Sequence, residues 1–506
     1  MRGKRALLNI FTAIIELAAV TITGFVVPHY IIRTYGSSVN GLILSITQFL
    51  GYISLIESGI GAIGRASLYK PLAENDGTLL SGNVKALELF YRKISYIFIV
   101  YVVALAFLFP LLVNQDFDWS YTAIMVVILA FSTFIQYYFG ITYQTVIQAD
   151  QKKYIPSLLQ TLTVLLNMLI TVVLIKIGAN VHIVKLGSTF AYAVRPIILY
   201  IYVRKHYKID KRVEPRSEIL KQRWDGLTQH IAFFIHKNTD IVILTIFATL
   251  TEVSVYSVYL LAVSGCSKVV NIFSNNFEPA FGNMIAKGEK ETLKSRVGLC
   301  SFLTTQITVV LFSAAAIVIS PFIELYTRGV TDANYLRPVF GIVILVAEAF
   351  YCIRMPYQSA VYAAGHFKQT RNGAIVEAIL NMVLSAILVF FFGLIGVAIG
   401  TLVAMLFRTC QYVFYYHTNL IQEKNGLRGE IKRLIVAIIE IGVIVLLAFV
   451  IPAASSKNYF LWILTSCLRV ILCSTVVLII SCIFYRKELK EVVLLFKHIV
   501  ARKKTT

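Results

Sequence analysis

Charged residues are scarce in this sequence. Only 14% of its 506 residues are Asp, Glu, Lys or Arg, and 58% are hydrophobic, whereas soluble domains have about 25% charged residues. This composition excludes a water-soluble enzyme or binding domain. The mean hydropathy is +0.76, and the apolar residues form continuous blocks long enough to cross a bilayer, which takes about 20 residues of helix.

Motifs for metal and redox chemistry are also lacking. The seven cysteines lie in or beside apolar blocks, and no two have the Cys-x-x-Cys spacing that is typical of zinc and dithiol sites. No nucleotide-binding motif occurs, and the loops on one side of the predicted spans are short. We therefore predict no enzymatic activity, no metal site and no cofactor, with H⁺ or Na⁺ left open as a coupling ion.

The apolar blocks predict an all-α polytopic membrane protein of about fourteen transmembrane helices, because a chain in lipid must satisfy its backbone internally. Barrel strands would alternate in polarity instead of forming continuous blocks. The predicted spans are 6–34, 38–64, 91–113, 119–147, 155–176, 181–203, 228–250, 253–285, 297–321, 335–363, 373–392, 395–416, 434–452 and 459–484.

Basic residues are strongly biased to one side of these spans. The segments predicted to be cytoplasmic carry 35 of the 47 Lys and Arg residues, and the loops on the other side carry four. Since cytoplasmic loops are enriched in Lys and Arg, we predict a bacterial cytoplasmic (inner) membrane protein with both termini in the cytoplasm. The same distribution explains the net charge of +21 without nucleic-acid binding.

Two parts of the sequence resemble each other at an offset of about 214 residues, which predicts a repeat of the kind found in transporters. The matches are Tyr143-Gln144 with Tyr357-Gln358, Leu166-Asn167-Met168 with Leu380-Asn381-Met382, Gly178 with Gly393, Gly187 with Gly400, and Arg195 with Arg408. An even number of spans per repeat predicts two parallel six-helix lobes. The predicted boundaries are 1–203 for the first lobe, 204–226 for a cytoplasmic linker helix, 227–417 for the second lobe, and 418–506 for two C-terminal helices and a basic tail.

Three motifs near the start of the chain carry a family resemblance: YGxxxNGL after span 1, LxExGxG in span 2, and LYKPLAEND in the first inner loop. With the later stretch Asn238–Leu261, they resemble Wzx-type polysaccharide flippases of the MOP exporter superfamily. The resemblance implies a MOP/MATE-like fold in which spans 1, 2, 7 and 8 line a central cavity.

The function implied by this resemblance is export of a lipid-linked sugar. The chain would move undecaprenyl-pyrophosphate-linked oligosaccharide from the inner to the outer leaflet by alternating access, with membrane lipids and other polysaccharide-assembly proteins as partners. The alternatives are another exporter of the superfamily, either a peptidoglycan lipid-precursor flippase or a drug/cation antiporter, and, less favoured, a membrane enzyme.

Ionisable residues within the spans are costly in lipid and mark candidate functional sites. The candidate substrate-binding cations are Lys237, Lys268, Arg354 and Arg33. The candidate cavity or ion-coupling acids are Asp240, Glu57, Glu16 and Glu348, and the candidate polar wall residues are His230, His236, Asn271 and Tyr52. A pyrophosphate needs such cations, but Lys237 and Asp240 could equally form a local ion pair, and the repeated Arg195 and Arg408 are expected to serve packing.

Overall fold

The computed structural model describes residues 2–57, 60–113, 117–210, 212–216, 238–275, 277–423, 426–450 and 458–502. Within these ranges the secondary structure is helical, with no β-strand. The chain divides into two compact units, which we call the N-terminal unit (Met1–Ser254 with Val330–Ala333) and the C-terminal unit (Val255–Gly329 with Asn334–Thr506). The domain boundaries predicted from the repeat remain a prediction.

The helices of the N-terminal unit include a turn at residues 52–53 and a π-helical turn at residues 136–140. Its described elements are α1 (Arg2–Tyr35), α2 (Ser37–Gly51), α3 (Ser54–Glu57), α4 (Ile60–Glu74), α5 (Gly77–Leu112), α6 (Trp119–Ile135), a π-helical turn (Gln136–Gly140), α7 (Ile141–Ala149), α8 (Tyr154–Lys176), α9 (Val181–His206) and α10 (Asn238–Phe247). The predicted span 38–64 is therefore not one helix, because the chain turns at Tyr52 and Ile53 between α2 and α3.

Helix α11 begins in the N-terminal unit and continues into the C-terminal unit. From there the elements are α11 (Leu250–Asn275), α12 (Glu278–Ala286), α13 (Lys290–Tyr326), α14 (Pro338–Ala363), α15 (Phe367–Phe392), α16 (Leu394–Tyr415), a second π-helical turn (Tyr416–Ile421), α17 (Gly426–Val450), α18 (Tyr459–Phe484) and α19 (Arg486–Arg502). The predicted span 253–285 corresponds to α11 and α12.

Among the described residues, 12 helices are long and apolar enough to cross a membrane, so the chain is a multi-pass membrane protein. The predicted spans 228–250 and 434–452 overlap α10 and α17, which are not among these 12. The count of about fourteen spans, which rests on apolar length alone, therefore stays a prediction.

The predicted linker helix over 204–226 is not seen in the part of it that is described. Helix α9 ends at His206, and residues 207–210 and 212–216 are not helical. They lie instead along the start of α5, where Arg216 N donates to Gly82 O at 3.2 Å and Lys85 Nζ donates to Val213 O at 2.9 Å. These hydrogen bonds replace those that a helix would make internally.

The YGxxxNGL motif positions helix α2 within the N-terminal unit. Gly36 has a φ of +93°, a conformation that glycine adopts without steric cost. Asp332 accepts hydrogen bonds from Ser37 N (2.6 Å) and Ser37 Oγ (2.9 Å), placing a carboxylate at the N-terminus of α2. Asn40 Nδ2 donates to Ser254 Oγ at 2.8 Å. These motif residues stabilise helix packing.

The repeated residues make equivalent contacts within each unit. In the N-terminal unit the Asn167 amide oxygen on α8 accepts hydrogen bonds from Thr171 and Ser188. In the C-terminal unit Asn381 on α15 bonds to the matching residues, which are Ser385 and Thr401. The repeated glycines Gly187 and Gly400 allow close helix approach, since an added Cβ would lie 2.9 Å from Ile170 Cγ2 and 2.2 Å from Ser385 Oγ, respectively.

Candidate functional site

A polar cavity of about 540 Å³ lies inside the N-terminal unit. Its walls are residues of α3, α4, α5, α6, the π-helical turn, α7, α8 and α9. Its lining residues are Glu57, Gly61, Arg65, Tyr91, Ser132, Thr133, Gln136, Tyr137, Ile141, Gln144, Thr145, Gln148, Gln160, Tyr192 and Arg195. Apart from Gly61 and Ile141, all have side chains that can form hydrogen bonds.

The π-helical turn (Gln136–Gly140) shapes one wall of this cavity. Such turns inside an α-helix are rare, and where they occur they often lie at functional sites. Gly140 allows the turn to pack closely, because an added Cβ would lie 2.8 Å from Gln136 Oε1 and 3.0 Å from Pro196 Cβ. Gln136 on the turn and Gln144 and Gln148 on the following α7 line the same cavity.

The charged groups of the cavity are two arginines and one carboxylate. Arg195 Nη2 donates to Gln144 Oε1 at 2.9 Å, while its buried Nε has no hydrogen-bond partner among the described residues. Arg65 makes no hydrogen bond or ion pair within the part of the chain that the structure describes. Glu57 accepts a hydrogen bond from the Tyr137 hydroxyl at 2.8 Å. Both guanidinium groups thus retain N–H groups that could bind an anion.

A second cavity of about 590 Å³ adjoins the first in the same unit and shares five of its lining residues, which are Ser132, Thr133, Tyr137, Gln160 and Tyr192. It is more apolar, and its cation is Lys185, whose side chain is 7% exposed. Together the two cavities carry three cations and one carboxylate.

The predicted acids of the N-terminal unit lie at different places. Glu57 lines the polar cavity. Glu16 on α1 is half-buried and acts electrostatically on Arg195, although it is not a lining residue. Asp240 is buried on α10, and Tyr52 lies at the turn between α2 and α3. The other candidates of the seventh predicted span, His230, His236 and Lys237, lie outside the described residues.

Two of the predicted cations lie on exposed helix surfaces: Arg33 in the last turn of α1 and Lys268 on α11. Near Lys268, Ser267 Oγ donates to Glu348 Oε2 at 2.7 Å and the Ser267 carbonyl accepts from Asn271 Nδ2 at 2.9 Å. Within the C-terminal unit, Glu348 and Asn271 thus both bond to Ser267, the neighbour of Lys268. The roles of the predicted residues in cargo binding remain predictions.

Arg354, the fourth predicted cation, is enclosed in the C-terminal unit. Its Nη1 lies 2.6 Å from Glu377 Oε1, and Arg408 Nε lies 3.3 Å from the other oxygen of the same carboxylate. We call these residues the Arg354–Glu377–Arg408 cluster. The repeat predicts that Arg195 and Arg408 both serve packing. Arg408 is buried in an ion pair with Glu377, whereas Arg195 lines the polar cavity.

Most residues of the polar cavity are not among the candidates predicted from the sequence. Arg65 follows the predicted span 38–64 and so falls among the predicted loop cations, and none of the glutamines is a candidate. A signal was present: Gln136, Gln144 and Gln148 recur at multiples of four residues within an apolar span, a spacing that keeps side chains near one face of a helix. Uncharged polar residues in a transmembrane helix need partners or a polar cavity.

No family model matches the chain, and no curated protein sequence matches it significantly. Solved structures do match. The lipid II flippase MurJ in an inward closed conformation has a TM-score of 0.71 and 17% identity, over 94% of this chain and 99% of that chain. An inward-facing MATE multidrug resistance transporter of the MOP superfamily has a TM-score of 0.62 and 13% identity, over 83% and 98%.

A MOP superfamily transporter from Pyrococcus furiosus has a TM-score of 0.54 and 12% identity, over 85% of this chain and 96% of that chain. At these identities the likeness shows the fold alone. The chain thus has the all-α fold of MOP superfamily transporters, as the sequence predicted.

Proposed function

We propose that this chain exports a lipid-linked saccharide, moving polyprenyl-pyrophosphate-linked oligosaccharide from the inner to the outer leaflet of the bacterial cytoplasmic membrane for surface polysaccharide biosynthesis. The observation that carries the proposal is the polar cavity of the N-terminal unit, in which Arg65 and Arg195 accompany a single carboxylate, Glu57. Arginine binds phosphate oxygens bidentately, and the remaining hydroxyl and amide groups suit a sugar.

The balance of charge argues against a drug/cation antiporter. A site for an organic cation should carry net negative charge, because opposite charges attract strongly where water is scarce. The two adjoining cavities instead hold Arg65, Lys185 and Arg195 against Glu57. An anionic headgroup would neutralise this excess, and its polyprenyl tail would remain in the lipid.

The second candidate function is flipping of a peptidoglycan lipid precursor. It is favoured by the fold similarity to the lipid II flippase MurJ, which extends over 94% of this chain. Both candidate cargoes are saccharides on a polyprenyl pyrophosphate, so the arginines would serve either one. The sugar and any attached peptide distinguish the two cargoes.

Glu57 is our candidate for ion coupling. It is the carboxylate of the polar cavity, and the Tyr137 hydroxyl donates to it. Carboxylates within membrane-spanning segments are rare and often mark proton or ion pathways. Occupation of Glu57 by such an ion would raise the net positive charge near Arg65 and Arg195 and so favour an anionic cargo.

The test is translocation by the purified full chain in proteoliposomes. Fluorescent undecaprenyl-pyrophosphate saccharides, a lipid II analogue and a cationic dye are offered separately, with and without H⁺ or Na⁺ gradients. We expect the first cargo to change leaflets and the dye to remain. Transport of the lipid II analogue alone would support the second candidate, and transport of the dye alone would overturn both.

A further inference from the structure

The internal repeat allows each residue of the polar cavity to be compared with the residue at the matching position of the C-terminal unit. Residues needed for the fold should be alike in both. Residues that stabilise packing are retained in both units: Asn167 and Asn381 are each hydrogen-bonded to two hydroxyl side chains at matching positions. The glycines Gly187 and Gly400 are also retained. Positions needed for helix packing are thus alike in the two units.

The cavity-lining positions differ between the units. Gln148, Gln160 and Tyr192 line the polar cavity, whereas the residues at the matching positions of the C-terminal unit are Tyr362, Ala374 and Met405. Lys185 of the second cavity is matched by Ala398. The fold therefore does not require amide and ammonium groups at these places.

The C-terminal unit closes the matching site with its own side chains. Gly140 is matched by Arg354, and Thr163 is matched by Glu377. Arg354 and Glu377 form the buried ion pair, with 2.6 Å between Nη1 and Oε1. The π-helical turn beside Gly140 also has no equivalent in α14, which is α-helical from Pro338 to Ala363. Only the N-terminal unit thus leaves its repeated arginine, Arg195, open to a ligand in the described structure.

We infer that three glutamines of the N-terminal unit, Gln136, Gln148 and Gln160, form a sugar-selecting subsite beside the arginines. This inference rests on the proposed function and deepens it. A primary amide offers two donors and an acceptor, which matches the hydroxyl and acetamido groups of a saccharide. A site that hydrogen-bonds polar groups rejects analogues that lack them, because its own buried groups are then left unpaired.

The arginines and the glutamines make separate contributions to cargo binding. Arg65 and Arg195 hold the pyrophosphate, which every cargo of this class carries. The glutamines respond to the sugar and have no charge with which to hold the phosphate. Their removal should therefore reduce the preference for a saccharide without reducing the affinity for bare lipid pyrophosphate.

The experiment compares binding of bare undecaprenyl pyrophosphate with binding of the same lipid carrying glucose, galactose, N-acetylglucosamine or N-acetylgalactosamine. The purified full chain and Gln148→Leu/Gln160→Leu are compared in detergent. We expect the wild type to bind at least one saccharide about tenfold more tightly than the bare lipid, since each net hydrogen bond contributes severalfold. In the variant this ratio should fall towards one, with bare-lipid affinity retained.

Gln358→Leu is the matched control, because Gln358 is the counterpart of Gln144 in the C-terminal unit. It should retain the wild-type preference. A Gln148→Leu/Gln160→Leu protein that binds bare lipid and keeps the full preference would overturn the subsite while leaving the proposed function intact. A wild type that binds none of the five lipids would overturn the proposed function itself, and the subsite with it.

Discussion

Arg354 and Glu377 form a buried ion pair in the C-terminal unit, with 2.6 Å between Nη1 and Oε1. Their side chains are only 5% and 6% exposed. Arg408 shares the same carboxylate at 3.3 Å, and Arg354 also lies over the ring of Tyr351, 4.8 Å from its centre. One acid thus compensates two buried guanidinium groups.

Replacement of Glu377 by glutamine should destabilise the protein strongly. Arg354 and Arg408 would keep their charges without a compensating acid, and breaking a buried pair from one side costs about 3–5 kcal/mol. Thermal unfolding in detergent measures the effect. Glu289→Gln, at an exposed position in the same unit, should leave the unfolding temperature unchanged. A Glu377→Gln protein of normal stability that no longer exports cargo would support the sequence-based role of Arg354 in cargo binding.

Removal of the two cavity arginines should strongly weaken the binding of lipid pyrophosphates. Arg65→Gln/Arg195→Gln leaves Glu57 as the charged group of the polar cavity, so we expect at least a hundredfold weaker binding, or about 3 kcal/mol for two charge-assisted contacts. A variant with Arg65→Gln and Arg195→Lys should bind the lipid pyrophosphate more tightly than the double glutamine variant, because lysine keeps the positive charge. Lys176→Gln, which removes an exposed cation at the end of α8, should bind like the wild type. Undiminished binding by the double variant would refute the assignment of this cavity.

Loss of the Glu57 carboxylate should separate binding from coupling. Glu57→Gln keeps the size of the side chain and an oxygen for the Tyr137 hydroxyl, so we expect retained cargo binding and loss of stimulation by an H⁺ or Na⁺ gradient. Proteoliposome transport with and without each gradient is the measurement. Gradient-stimulated transport by Glu57→Gln at the wild-type rate would place the coupling ion elsewhere.

A methyl group at Gly41 should disrupt packing in the N-terminal unit. An added Cβ would lie 1.7 Å from the carbonyl oxygen of Leu250, and a backbone atom cannot move aside as a flexible side chain can. Overpacking costs about 1–3 kcal/mol or more, so the yield and unfolding temperature of Gly41→Ala should fall. Gly24→Ala is the control, because nothing lies within 4 Å of the added Cβ, and it should match or exceed the wild-type stability.

The sequence was sufficient to predict the fold class because the relevant signals are local or repeat along the chain. Apolar length predicts a spanning helix, and paired matches such as Asn167 with Asn381 predict a repeat. The resemblance carried by the YGxxxNGL motif indicated the MOP fold, although Asn40 and Gly41 of that motif make packing contacts. Glu57 and Gly61 of the LxExGxG motif, in contrast, line the polar cavity.

Which charges share a cavity was decided by the tertiary structure. Arg195 and Arg408 occupy matching positions in the sequence. Arg195 lines a cavity, whereas Arg408 is buried in an ion pair with Glu377. That difference depends on Gly140 and Arg354, which lie on other helices, and a charge in lipid is stable only beside partners that distant segments supply. The sequence determined that this protein crosses the membrane repeatedly; the packing of its helices determined which arginine can receive a ligand.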